Sequence, residues 1–138
     1  MVRNKKKVAL FAKERPHLTE AIDYLKKYTD NIDVFIGDTK DPFPVLDVKY
    51  KCDLLISYLS PWIIPAKLLN NTRDWAINFH TGPPEYPGIG CVNFALYNEE
   101  PIYGITSHIM EDKVDTGRII DVIRFKIDKY DSVYSVTQ

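Results

Sequence analysis

The chain has 138 residues, 45% hydrophobic and 27% charged, with a formal net charge of −1. That length predicts one domain with a core large enough to need no staples. The near-neutral balance and the lack of a basic stripe argue against a nucleic-acid partner, and no apolar run approaches the length of a membrane span.

Lys5-Lys6-Lys7 precede a strand-like segment and read as a solvated terminus, since no signal-type apolar region follows them. Val8–Ala12 (VALFA) reads as a buried strand. Pro16 stands where a helix can begin, and Leu18, Ile22, Leu25 and Tyr28 recur on one helical face. Ile32–Ile36 is a second strand, stopped by Gly37-Asp38, and residues 38–51 have no clean period and read as a connection. Asp53–Tyr58 is a third strand, Ala66–Leu69 a short helix, and Trp75–Phe79 a fourth strand. After a Gly/Pro-rich loop, Val92–Leu96 reads as a helix and Ile105–Met110 and Ile119–Phe125 as strands, with a polar turn over Glu111–Gly117. Asp131-Ser132 suits the start of a last helix.

Strands alternating with helices predict an α/β domain with a mostly parallel sheet flanked by helices. The first strand is followed by Lys13-Glu14-Arg15, so no glycine-rich dinucleotide fingerprint is present. Cys52 and Cys91 lie far apart with no CxxC spacing and read as buried, reduced thiols, which fits a reducing, cytoplasmic setting.

The chemistry concentrates at the end of the fourth strand. In open parallel sheets ligands collect at the carboxyl ends of strands. Asn78 and His80 are an i, i+2 pair, so an extended backbone turns both to one face. A carboxamide donates to a developing oxyanion without titrating, and imidazole moves a proton near neutral pH. Asp115, in a later turn, is a carboxylate suited to orient His80 or to take a proton from a nucleophile. Together the three suit acyl transfer. Each also has a plainer role: a structural histidine, a backbone-satisfying asparagine, a turn aspartate. His108, inside ITSHIM, reads as a hydrogen-bonded core histidine.

Asn78-Phe79-His80, the Gly/Pro loop, Gly104-Ile105-Thr106-Ser107-His108 and Val114-Asp115-Thr116-Gly117 stand in the order and spacing of the folate-dependent formyltransferases. The chain resembles that family from about Asp53 to Phe125. The family includes glycinamide ribonucleotide, methionyl-tRNA and sugar N-formyltransferases. The purine and tRNA enzymes usually read HPSLLP after the histidine. Here the sequence is HTGPPEYPGIG followed by CVNFALYNEE, which is more similar to the sugar N-formyltransferases.

The resemblance implies a Rossmann-like catalytic domain over residues 1–138, short at its C-terminus relative to the family. It implies N10-formyltetrahydrofolate as donor, no metal, a nucleotide-linked amino sugar as acceptor, and a homodimer as in many relatives. Asn78, His80 and Asp115 take the catalytic positions. Tyr58, Leu59, Ser60, Trp62, Ile63, Lys113 and Val114 fall where the family holds the pterin, and Glu85, Tyr86 and Gly88 where the sugar would lie. Thr81 departs from the proline of many relatives. Other readings stay open: a non-catalytic folate- or nucleotide-binding remnant, a methionyl-tRNA formyltransferase relative, and a hydrolase releasing formate from the folate.

Overall fold

The computed structural model describes residues 5–111 and 117–137. Among these residues six strands form one sheet in the order β2-β1-β3-β4-β5-β6. They are β1 (Val8–Lys13), β2 (Ile32–Gly37), β3 (Cys52–Tyr58), β4 (Thr72–His80), β5 (Ile102–Ile109) and β6 (Ile119–Lys126). Four helices intervene or follow: α1 (Leu18–Lys26), α2 (Ala66–Asn70), α3 (Cys91–Tyr97) and α4 (Val133–Val136). Among the described residues no helix is long and apolar enough to cross a membrane. The chain divides into two compact units, Met1–Asn78 and Phe79–Gln138.

In the first unit β1 is flanked by β2 and β3, both parallel to it, with Val8 opposite Ile32 on one side and Leu54 on the other. A central parallel strand is covered on both faces, which is why VALFA is apolar without alternation. Val8, Leu10 and Ala12 pack with Leu18 of α1 and Ile56 of β3, and Ile22 and Leu25 complete that layer. Phe11 points the other way and stacks on Phe35 with ring centroids 4.7 Å apart. Burying each such side chain contributes about 1.5–3 kcal/mol. At one edge of this unit Tyr50 donates its hydroxyl to Asp33 at 2.7 Å, and Lys7 reaches the same carboxylate at 3.0 Å. The Tyr50 hydrogen bond, with Lys7 beside it, holds the Asp33 carboxyl below the usual range, although partial burial opposes it.

Pro16 does not open α1. The Leu18 N–H donates to the Arg15 carbonyl at 3.1 Å, which closes a turn with Pro16 at its second position, and the helix begins at Leu18. Strand β4 starts at Thr72, three polar residues before the apolar segment that signalled it, because ladder pairing is a backbone property that a polar run does not advertise.

In the second unit β5 and β6 form an antiparallel pair. The sheet is therefore mixed: the connection over residues 110–118 is too short for the crossover that parallel pairing needs. The register shifts between Ser107 and His108, opposite Asp121 and Ile119, so β6 carries an extra residue there. Gly104 pairs with Arg124, and the carbonyl oxygen of the neighbouring Ile123 would lie 2.7 Å from any Cβ at position 104. Helix α3 buries Cys91, Val92 and Ala95 against Tyr103 of β5. Both cysteines are buried free thiols. Helix α4 opens on Ser132, which accepts from the Ser135 N–H while the Ser135 hydroxyl accepts from the Ser132 N–H, a reciprocal cap.

Outside this core, Arg124 of β6 forks onto Glu85 of the Gly/Pro loop, with N···O distances of 3.1 and 2.6 Å. The Arg124 guanidinium holds the Glu85 carboxyl below the usual glutamate range, with a smaller contribution from Glu85's own backbone N–H. A depressed carboxyl contributes stability that is full above its unfolded value and lost as pH falls through its folded value. Carbon-13 titration should therefore place the Glu85 midpoint below that of a free glutamate. Arg124→Ala should raise it toward the ordinary range, and an unchanged midpoint would refute the fork. Gly104→Ala should destabilise the chain by about 1–3 kcal/mol, since the β5–β6 backbones must separate, as read by urea unfolding.

Candidate active site

The loop after β4, Thr81–Gly90, contains Pro83, Pro84 and Pro87, which have no N–H to donate. Its carbonyls all remain acceptors, and the loop's own N–H groups are too few to meet them. Side chains supply the donors. The Tyr103 hydroxyl donates to the Thr81 carbonyl at 2.6 Å, and the Thr106 hydroxyl to the Gly82 carbonyl at 2.7 Å. The Cys91 thiol also reaches the Thr81 carbonyl, at 3.4 Å. Tyr103 is 2% exposed, and burial pushes its hydroxyl well above the usual tyrosine range, so it is a fixed donor. The loop is thus tied to β5 at successive residues, and its own Pro83 is fully buried.

His80 ends β4 and is half-buried. Its Nε2–H donates to the Tyr86 carbonyl at 2.9 Å. Tyr86 in turn donates its hydroxyl to Glu100 at 2.7 Å and accepts from Asn98 at 3.0 Å. His80, Thr106, His108 and the three loop prolines line a cleft of about 210 Å³ in the second unit. His108 is 5% exposed and its Nδ1–H donates to the Ile109 carbonyl at 3.0 Å. It is the hydrogen-bonded, buried histidine its strand context predicts, and it also forms part of the cleft wall. A cleft of similar volume in the first unit is lined by Phe43, Pro44, Leu46, Val48 and Leu68 and carries no histidine, and its Tyr50 is committed to Asp33. The chemistry therefore points to the second unit's cleft.

Asn78 precedes His80 by two residues on the same strand and is half-buried. Asp115, with Lys113 and Val114, lies outside the described residues. Glu85 is engaged by Arg124, and Gly88 is exposed with φ +81°, a left-handed turn position. Tyr58, Leu59, Ser60, Trp62 and Ile63 belong to the first unit. Tyr58 packs against the β1–α1 core. Leu59 has φ +53°, a strained value for a branched residue. Ser60 accepts from the Trp62 N–H at 3.1 Å. The Trp62 indole donates to the Asp41 carbonyl at 3.0 Å and meets Phe43 edge-on, while Ile63 is 76% exposed.

Sequence reasoning missed Tyr103, Thr106 and Gly82. A signal existed: a loop rich in proline needs donors from side chains, and a tyrosine and a threonine stand on the neighbouring strand. Gly82 was hidden because its role depends on three residues that meet only in the fold.

Comparison with known proteins follows the same pattern. Methionyl-tRNA formyltransferase of Chlorobium chlorochromatii is 33% identical over 87 residues, which are 62% of this chain and 27% of that protein. GDP-perosamine N-formyltransferase of Brucella melitensis is 28% identical over 85 residues, 61% of this chain and 33% of that protein. The matched region thus spans about a quarter to a third of these relatives' length. The fold matches an N-formyltransferase from Helicobacter canadensis, solved with folinic acid and dTDP-3-aminofucose, with a TM-score of 0.76 at 20% identity, over 96% of this chain and 57% of that one. Residues 47–138 match the formyl transferase family. That segment is well over half of the sequence, and the chain belongs to the formyl transferase family.

Proposed function

We propose that the chain carries the catalytic core of an N-formyltransferase that moves a formyl group from N10-formyltetrahydrofolate to the amine of a nucleotide-linked amino sugar. The observation that carries this reading is His80, at the end of β4, lining a cleft beneath a loop whose backbone is tied to β5. Family membership gives that site its reaction class, and the solved N-formyltransferase with folinic acid and an amino-sugar nucleotide supports a folate donor and a nucleotide-linked amino-sugar acceptor.

The residues divide the work by their chemistry. Asn78 donates its carboxamide N–H to the formyl oxygen as charge gathers there. Protonated His80 donates its Nδ1–H to the same oxygen, since its Nε2–H is held by the Tyr86 carbonyl. The negative charge of Asp115 steadies the protonated ring, and its carboxylate takes the proton that the attacking amine must lose. The amine adds to the formyl carbon to give a tetrahedral oxyanion, which collapses as the bond from carbon to N10 breaks, and N10 receives the proton that the amine lost. Preorganised donors of this kind act because they require no reorganisation when charge develops. The strained Leu59 turn and the exposed Ile63 suit a flat heterocycle, which needs an apolar wall beside backbone polar groups.

Methionyl-tRNA is the competing acceptor, favoured by the higher identity of that relative. The net charge of −1 disfavours it, since a tRNA partner normally meets a basic surface. Incubating the chain with N10-formyltetrahydrofolate and either nucleotide-linked amino sugars or methionyl-tRNA, with mass-spectrometric detection, decides between them. Formylated sugar is expected. Absence of product with every acceptor, together with absence of folate binding, overturns the reading. Asn78→Ala should lower kcat by about 10²–10³ and leave KM nearly unchanged.

A further inference from the structure

We propose that Tyr86 is the positioning residue for His80. Its main-chain carbonyl fixes which imidazole nitrogen carries the proton, and its clamped hydroxyl holds that carbonyl in place. The role in turnover rests on the formyl-transfer reading; the role in fixing the ring does not.

The carbonyl argument is chemical. The Tyr86 oxygen, 2.9 Å from His80 Nε2, can only accept, so Nε2 bears the hydrogen in both charge states of the ring. His80 is therefore held as the Nε2–H tautomer when neutral. His108, whose Nδ1–H donates to the Ile109 carbonyl, is held as the opposite tautomer. The two histidines of one cleft thus differ in a property that is directly measurable.

Three observations hold the Tyr86 carbonyl in place. The Tyr86 N–H donates to the Pro83 carbonyl at 3.0 Å and closes the turn. The ring packs against the core formed by Cys91, Val92, Ala95 and Tyr103. The hydroxyl is fixed between Glu100 and Asn98. Gly82 then leaves room for the bond itself. A Cβ at position 82 would lie 2.9 Å from both His80 Nε2 and the Tyr86 oxygen, and 3.1 Å from Cys91 Cβ. Neither the backbone oxygen nor the helix can give way cheaply, so the histidine and the carbonyl meet only over a glycine.

Long-range proton–nitrogen NMR spectra, recorded above the histidine titration range, read the tautomer of each ring. The sequence has three histidines, so the signals are few. Wild type should show His80 as a single Nε2–H form and His108 as an Nδ1–H form. Tyr86→Phe and Glu100→Ala, which remove the clamp, should spread His80 over both tautomers while His108 stays unchanged and reports the fold. Glu100→Gln keeps an acceptor for the hydroxyl and should restore the wild-type pattern. Gly82→Ala should disturb His80 without touching the Tyr86 hydroxyl. In turnover, Tyr86→Phe should lower kcat by about tenfold or more with KM little changed. A wild-type chain without the Nε2–H pattern overturns the proposal, as does a His80 pattern that survives both Tyr86→Phe and Gly82→Ala. If the pattern responds as expected and the wild type transfers no formyl group, the functional reading falls and the positioning role stands.

Discussion

The loop after β4 cannot satisfy all of its own acceptors. Three prolines remove donors from a short segment whose carbonyls all remain. Those acceptors are met by Tyr103, Thr106 and His80, so the neighbouring strand and the strand end are recruited as donors. A carbonyl left unmet in a half-buried site would cost about 1–3 kcal/mol. The same bonds that remove this cost fix the cleft wall and the imidazole, so loop stability and site geometry come from one set of contacts.

That arrangement sits on a conventional frame. Strand β1 is paired on both edges and buried on both faces, with α1 covering one face and Phe35, Phe43 and Trp62 meeting Phe11 on the other. The antiparallel β5–β6 pair has a different duty. It brings Tyr103, Thr106 and His108 along one strand, and its register shift falls at His108. Bulges concentrate beside functional sites because they re-aim a side chain at small cost to the ladder. Gly104 permits the close backbone approach that this pairing needs.

Much of the fold was legible from patterning. VALFA, the Leu18-Ile22-Leu25 face, the buried cysteines and the Ser132 cap all appear where apolar period, residue type and capping chemistry place them. The boundaries were less legible. Thr72 to Asp74 extend β4 without any apolar signal, and Pro16 closes a turn instead of opening a helix. Both errors have one cause: hydrogen bonds made by the backbone leave little trace in side-chain chemistry.

The candidate site shows the same division. Sequence alone set Asn78 and His80 two apart at a strand end and put a donor-poor loop after them, because strand period and proline chemistry are local. The family motif tied that stretch to formyl transfer, and the match over residues 47–138 bears out the family. Only the tertiary structure decided that Tyr86, read from the sequence as a residue facing the sugar, turns its carbonyl to His80 and its hydroxyl to Glu100. Only there does Gly82 acquire a reason to be glycine. Periodicity and residue type survive in the sequence because they act within one turn or strand. Which acceptor meets which donor depends on segments that come together only when the core closes.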